Sequence, residues 1–98
     1  MVIEVAQLTI NADAAEGFAE VFAAAVPHVA GAHGFRSAQL TRSIESPLRF
    51  VLLVEWETLA DHTEGFRGSP AFAEWRALVG PHFAEPPHVE HVEVVGSA

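Results

Sequence analysis

The hydrophobic pattern of the chain centres on residues 50–54, a run of consecutive apolar positions that predicts a strand. A strand that is apolar at both parities has to be covered on both faces, so this one is expected to be central in its sheet. Thr58 and Asp61 have the spacing of a helix N-cap and its reciprocal partner, which predicts a helix directly after Trp56. Trp56 and His62 therefore flank a strand-to-helix corner, where side chains can stand at the mouth of a pocket.

The remaining elements follow from period-2 alternation, helical spacing and turn residues. Asp13 and Glu16 are expected to start a first helix, and Pro27 to kink or end it. The alternative is a further turn through Val29 and Ala30, which Gly31 and Gly34 then stop. Ser69 and Pro70 predict the N-cap and first residue of a later helix. The predicted strands are residues 2–10, 35–44, 49–56 and 88–95, and a short helix is predicted at 59–66.

The order strand, helix, strand, strand, helix, strand predicts an α+β ferredoxin-like βαββαβ sandwich, with one four-stranded antiparallel sheet and helices on one face. With 98 residues the chain is expected to be a single domain, residues 1–98. The uncovered face of the sheet would carry Ile3, Val5 and one parity of residues 51–55, which is too apolar for open water. Pairing of two sheets in a homodimer, a dimeric α+β barrel, would cover it.

Composition supports a buried subunit interface and excludes several partners. The hydrophobic fraction is 50% and the mean hydropathy +0.24, which is rich for so small a domain. Only 5 basic residues face 13 acidic ones, and the formal net charge of −8 would repel phosphate backbones and anionic membranes. We therefore expect neither a nucleic-acid nor a membrane partner.

The absence of cysteine excludes disulfides, thiolate catalysis and Cys-ligated metals. The first 16 residues contain no basic residue and carry Glu4 within their apolar stretch, which fits neither a signal peptide nor a membrane span. A cytoplasmic location is the expectation that follows.

The chain resembles the antibiotic biosynthesis monooxygenase family, a group of small dimeric α+β barrel proteins. The resemblance extends over nearly the whole length. It is carried by the order of the elements, by VEWETLADH at residues 54–62 and by FRGSPAFAEWRALVGPHF at residues 66–83. In the family, the third strand typically ends in a tryptophan that precedes a helix with a histidine near the position of His62, and the second helix typically opens with Ser-Pro, as Ser69 and Pro70 do here.

Two branches of this family make different demands on the chain. The haem-degrading branch uses an asparagine, a tryptophan and a histidine where the resemblance places Ala6, Phe66 and Arg76, so haem degradation is disfavoured. The quinone-forming branch oxidises phenolic polyketides with molecular oxygen and needs no metal or flavin. There the protein has to orient the substrate, accept a proton and stabilise an anion. The resemblance thus implies no cofactor.

His62 and Arg76 are the candidate catalytic residues. A neutral imidazole titrates near working pH, so His62 would accept the substrate's proton, and its replacement by alanine is expected to lower turnover with little effect on stability. The alternative is a structural histidine. Arg76 would hold a phenolate or enolate, and its alternative is a surface salt bridge with Glu74 or another acid.

Aromatic and histidine side chains complete the expected site. His88 and His91 are three residues apart on a predicted strand and so point to opposite faces, which argues against a metal site. The loop at residues 81–88 has three candidate roles: a lid, a contact with a partner chain, or a plain connection. Large aromatics at such positions also serve as core. The residues expected to bind substrate are Trp56, Phe66, Phe72, Trp75, His82 and Phe83.

The resemblance, taken with these residues, implies a cofactor-independent monooxygenase for a small aromatic or polyketide-like substrate held between sheet and helices. A cofactor-free cyclase or isomerase, with His62 transferring protons alone, is one alternative, and oxygen consumption would separate the two. A non-catalytic small-ligand-binding dimer is the other. A collapsed pocket, or a His62 turned into solvent, would favour it.

Overall fold

Helices cover one face of a four-stranded antiparallel sheet in the computed structural model, which describes residues 1–98. The sheet order is β2-β3-β1-β4, so the predicted ferredoxin-like fold is confirmed. The strands are β1 Val2–Thr9, β2 Phe35–Arg42, β3 Arg49–Trp56 and β4 His88–Val92, and the helices are α1 Phe18–Ala30 and α2 Pro70–Val79. No helix is both long and apolar enough to cross a bilayer.

β1 and β3 form the centre of the sheet, as the apolar run predicted. Each pairs with a strand on both sides, and their own register sets Ala6 opposite Leu52 and Leu8 opposite Phe50. Alternation then places the even-numbered residues of both strands under the helices, where all but Val2 are buried. The predicted strands at 35–44 and 88–95 were too long, because the apolar residues Ile44, Val94 and Val95 are largely exposed beyond the strand ends.

Helix α1 begins later than predicted and ends at Ala30, before Gly31, as the longer of the two predicted helices does. A 3-10 turn at Ala15–Gly17 precedes it, no side chain caps it, and Glu16 instead pairs with Arg42 at 3.0 Å. That pairing lowers the pKa of Glu16. Pro27 neither ends nor interrupts the helix, which continues to Ala30. A proline near the end of a helix removes only one backbone N–H donor, and thus only one intrahelical hydrogen bond.

The chain leaves β3 through the predicted reciprocal cap. The Thr58 amide donates to Asp61 Oδ2 at 3.2 Å, and the Asp61 amide donates to Thr58 Oγ1 at 3.1 Å. The following turns widen into a π-helical segment at Asp61–Phe66, in which the Arg67 amide donates to the His62 carbonyl oxygen, five residues back. Gly34, at φ +83°, packs so closely on Asp61 that a Cβ there would lie 2.1 Å from Oδ2.

Ser69 precedes α2 as predicted, but its hydroxyl donates to the Phe66 carbonyl oxygen at 2.7 Å instead of capping the helix.

The segment after α2 is hydrogen-bonded to the end of β1. A 3-10 turn at Gly80–His82 follows. Beyond it, the Ala84 amide donates to the Thr9 carbonyl oxygen at 2.8 Å, so the first half of the 81–88 loop is held against the sheet.

The other face of the sheet carries no helix. Its residues are the odd-numbered ones of β1 and β3 with the matching positions of the edge strands. Val5 lies opposite Leu53 at its centre, and both are half-buried within one chain. The apolar, uncovered face predicted from the sequence is therefore present.

Candidate active site

A cavity of about 270 Å³ lies between the sheet and the helices. Its floor consists of helix-facing residues of β1, β3 and β4, and its walls come from α1, the π-helical segment, α2 and the loop after α2. Most of the lining is apolar, and the exposed lining residues Arg67, Arg76 and Pro87 mark its opening. The volume lies just below the range of roughly 300–1,000 Å³ typical of ligand pockets, so the cavity suits a compact ligand.

His62 reaches this cavity from the first turn of the π-helical segment. The Thr58 cap fixes the start of that turn, and His62 and Phe66 then share its inner side while Glu64 is exposed. The His62 side chain stacks on Trp56, with ring centroids 5.1 Å apart and planes 13° apart. Its Nδ1 lies 2.8 Å from Nε2 of His91 on β4, so the two imidazoles share one hydrogen bond.

Glu4 is the second polar group in this part of the cavity. It occupies a helix-facing position of β1 and is 7% exposed, although Ala6 and Leu8, which follow it on that face of the strand, are apolar. The indole Nε1 of Trp56 donates to Glu4 Oε1 at 3.1 Å, and Nε2 of His62 lies 3.3 Å from the same oxygen. Burial raises the pKa of Glu4, while the Trp56 hydrogen bond opposes that rise.

Burial has the opposite effect on the two histidines, because it disfavours their cationic forms. It lowers the pKa of His62 from 6.5 to about 4, with further contributions from Arg67 and His91. It also lowers the pKa of His91, again with a contribution from Arg67. Near neutral pH both imidazoles are uncharged, which matches a geometry in which one ring nitrogen donates to the other.

Two of the five arginines of this acidic chain stand at the cavity opening, Arg67 and Arg76. The Arg76 guanidinium lies over the Phe72 ring, 5.8 Å from its centroid. The salt bridge considered for Arg76 does not form, and Arg67 also stands outside the ion pairs of the structure. Cations without carboxylate partners at the mouth of an apolar cavity favour a ligand that carries or develops negative charge.

The structure brings most of the expected site residues to this cavity. The lining contains His62, Arg76, Phe66, Phe72, Trp75 and Phe83. Trp56 lies outside it: the side chain is 0% exposed, beneath His62, because the end of β3 points into the core. His82 also lies outside it and faces Phe18, at 6.2 Å between ring centroids, because the 3-10 turn directs it toward α1.

Sequence reasoning missed Glu4, Arg67 and His91. Glu4 was noted only as a polar interruption of β1, although its parity with Ala6 and Leu8 places it on the buried face. The opposite orientations predicted for His88 and His91 are correct, and it is His91 that faces the helices, opposite Glu4 in the strand register. No group of three His, Cys, Asp or Glu side chains is arranged to hold a metal ion.

The three positions that separate the family branches also line this cavity. Ala6 forms part of its floor, and Phe66 and Arg76 belong to its walls. The residues that distinguish this chain from the haem-degrading branch therefore all lie in this cavity. This cavity can hold a flat apolar ligand. It can also exchange a proton with that ligand through the Glu4 and His62 cluster, and stabilise an anion.

Comparison with known proteins agrees with this geometry. Residues 1–78 match the family described as antibiotic biosynthesis monooxygenase. The chain is 42% identical over 95 residues to the uncharacterized protein YczJ of Bacillus subtilis, covering 97% of this chain and 100% of that protein.

Solved structures extend the comparison. A proposed antibiotic biosynthesis monooxygenase from Bordetella bronchiseptica shares 41% identity and superposes with a TM-score of 0.93, with 96% of each chain covered. SnoaB of Streptomyces nogalater, a cofactor-independent oxygenase, superposes with a TM-score of 0.82 over 98% of this chain and 94% of its own. At 18% identity, SnoaB shares the fold.

Proposed function

The chain belongs to the antibiotic biosynthesis monooxygenase family, and from that premise we propose that it is a cofactor-independent monooxygenase. Its substrate is a small aromatic or polyketide-like molecule bound between the sheet and the helices. The SnoaB fold supports this proposal as an example of the same architecture in a cofactor-independent oxygenase. No metal, flavin or haem is part of the proposed reaction.

One observation carries the proposal: the buried Glu4 and His62 cluster opens into an aromatic cavity whose mouth holds two unpaired arginines. Phe66, Phe72 and Trp75 offer flat apolar surfaces to a fused-ring ligand. A proton leaves the ligand at the cluster, and the arginines stabilise the anion that forms. Binding, deprotonation and charge stabilisation are the contributions that this reaction requires from a protein.

The substrate itself supplies the electrons. Removal of a proton from an acidic methylene of an aromatic ketone leaves an electron-rich enolate, which reduces molecular oxygen and forms a carbon–oxygen bond with it. Return of the proton to the peroxide and loss of water convert the methylene to a carbonyl. One atom of the oxygen molecule enters the product and the other leaves as water, so atoms and electrons balance.

Anthrone is a suitable test substrate, because its methylene is acidic and its oxidation to anthraquinone changes its absorbance. We expect the protein to consume oxygen and form anthraquinone in equal amounts. Glu4→Gln combined with His62→Gln removes both groups that can accept the proton and should lower turnover by on the order of a hundredfold. His33→Gln, whose side chain is 96% exposed, is the matched control and should not change it. Oxygen consumption no faster than in buffer would contradict the proposal.

We also propose that the working unit is a homodimer joined through the uncovered face of the sheet. Support comes from the apolar centre of that face, where Val5 lies opposite Leu53, with Ile3 and Val51 two residues along the same face of their strands. Such a patch on a chain of 98 residues is costly to leave in water. The cavity opens on the opposite side, so each chain contributes its own Glu4 and His62.

A further inference from the structure

We propose that the carboxylate of Glu4 accepts the substrate's proton, and that His62 is a positioning residue that His91 holds against it. This inference rests on the proposed function for the class of ligand, an acidic aromatic molecule. It differs from the sequence-based expectation, in which His62 itself is the acceptor. It also explains a feature that packing alone leaves unexplained, a carboxyl group buried among apolar residues on the inner face of β1.

The hydrogen-bond geometry distinguishes the two side chains. Nδ1 of His62 is committed to His91 at 2.8 Å, and Nε2 is turned toward Glu4 Oε1 at 3.3 Å. Stacking on Trp56 holds the imidazole plane in place. Glu4 lines the cavity, and its carboxylate can accept further hydrogen bonds beyond those at Oε1. His62 is therefore fixed by its neighbours, whereas Glu4 retains accepting capacity.

The charged and titratable groups that face this cluster come from three elements. Glu4 lies on β1, His91 on β4, and Arg67 follows the π-helical segment. Burial separates the basicities of the two candidates. It raises the pKa of Glu4, against the opposing effects of the Trp56 hydrogen bond and Arg67, and it lowers the pKa of His62 to about 4. A base is most effective when its pKa lies near the operating pH, which favours Glu4.

The proton transfer conserves atoms and charge. The carbon–hydrogen bond of the substrate breaks, its electron pair stays on the substrate as an enolate, and an O–H bond forms on Glu4. An ionised Glu4 favours hydrogen on Nε2 of His62, which leaves Nδ1 to accept from His91. After oxygen adds to the enolate, Glu4 returns the proton to the peroxide and becomes a carboxylate again. The protein gains and loses one proton per cycle.

Hydrogen–deuterium exchange tests this step without oxygen chemistry. Anthrone is incubated with the protein in deuterated buffer under nitrogen, and deuterium at its methylene is measured by mass spectrometry across pH. We expect wild-type protein to accelerate exchange, and Glu4→Gln to lower that acceleration by on the order of a hundredfold, since the amide keeps the shape and the acceptor for Trp56 but is not a base. Glu64→Gln, exposed on the same turn as His62, is the control and should exchange like wild type.

Variants of His62 test whether it positions Glu4, because a purely structural role would not change the pH dependence of exchange. His62→Gln keeps an N–H donor toward Glu4 and should keep exchange within about tenfold of wild type. His62→Phe keeps the stacking but removes the donor, so the acidic limb of the pH profile should move to higher pH. Exchange that survives in Glu4→Gln and disappears in His62→Gln would overturn the proposal in favour of His62.

The other outcomes of these experiments also support or overturn the Glu4 assignment. Exchange by the wild type without oxygen consumption in air would leave the Glu4 assignment standing while the monooxygenase proposal fails. No wild-type exchange above the buffer rate overturns the inference. If Glu4→Gln melts far below wild type, Glu4→Asp replaces it. The aspartate variant keeps a carboxylate and should retain part of the exchange, and a loss as complete as in the glutamine variant overturns the proposal.

Discussion

Trp56 and His62 lie parallel, 5.1 Å apart, and both direct a ring nitrogen at the same oxygen of Glu4. The tryptophan is fully buried and the histidine lines the cavity. One carboxylate oxygen of Glu4 therefore connects the core to the candidate active site. A substitution at Trp56 in the core should change the pKa of Glu4 in the site.

The first prediction concerns the indole nitrogen. Trp56→Phe keeps an aromatic ring under His62 but removes the donor to Glu4, so we expect the pKa of Glu4 to rise further. The free energy of unfolding should fall by about 1.5–3 kcal/mol, the usual range for a hydrogen bond to a charged group. Carbon-13 NMR of the Glu4 carboxyl and urea denaturation measure the two effects. Trp75→Phe, on the cavity wall, should leave the pKa of Glu4 unchanged.

The second prediction concerns acid stability. His62 titrates at about 4 in the folded chain and near 6.5 when unfolded, so below pH 6.5 the unfolded chain binds a proton that the folded chain does not. The free energy of unfolding should therefore decrease as pH falls from 6.5 to about 4, by on the order of 3 kcal/mol from His62 alone at about 1.4 kcal/mol per pKa unit. His91 acts in the same direction.

Glu4 opposes this trend, because its raised pKa contributes stability below 4.5 that is lost as pH rises through its folded value. The difference between wild type and His62→Gln isolates the histidine contribution. Urea denaturation at a series of pH values should show a smaller decrease for His62→Gln. An identical decrease in both proteins would mean that His62 is not a buried neutral imidazole.

The third prediction concerns Arg67, whose positive charge lowers the pKa of Glu4, His62 and His91 alike. Arg67→Gln should raise all three pKa values, and NMR titration would record the shifts. Arg76→Gln is the matched control, since it removes a cation from the same opening but does not contribute to these pKa values. Shifts of opposite sign among the three groups would contradict the electrostatic account.

The fourth prediction tests the proposed dimer. Leu53→Glu puts a charge at the centre of the uncovered sheet face and should convert a dimer into monomers in sedimentation experiments at micromolar concentration. Ala77→Glu introduces the same charge on the exposed side of α2 and should leave the dimer intact. A wild-type protein that sediments as a monomer would remove the basis of the dimer proposal.

Much of the fold could be predicted because it depends on local periodicity. The alternation of β1 and β3, the Thr58 and Asp61 cap and the start of α2 at Pro70 are all short-range features. The proton-handling cluster is different. Glu4 and Trp56 are 52 residues apart, and His62 and His91 are 29 apart, so only the strand register brings them together.

The burial of His62 also changes an expectation. His62 is 3% exposed and stacked on Trp56, so truncation to alanine would leave a void. The melting temperature of the alanine variant is therefore expected to fall, and not to stay nearly unchanged as the sequence suggested. Glutamine and phenylalanine are therefore the more informative replacements. No local pattern indicated this, since the depth of a helix side chain depends on the elements that pack around it.

The wide turn at Asp61–Phe66 has a consequence for comparing relatives of this chain. The bond from the Arg67 amide to the His62 carbonyl oxygen encloses one more residue than an α-helical turn does. Loss of a single residue there, such as Gly65, would restore ordinary helical winding while the cap before it and α2 after it kept their places. A homologue that is one residue shorter at this point would therefore keep the same fold. An alignment that opens its gap elsewhere would assign the histidine to the wrong column.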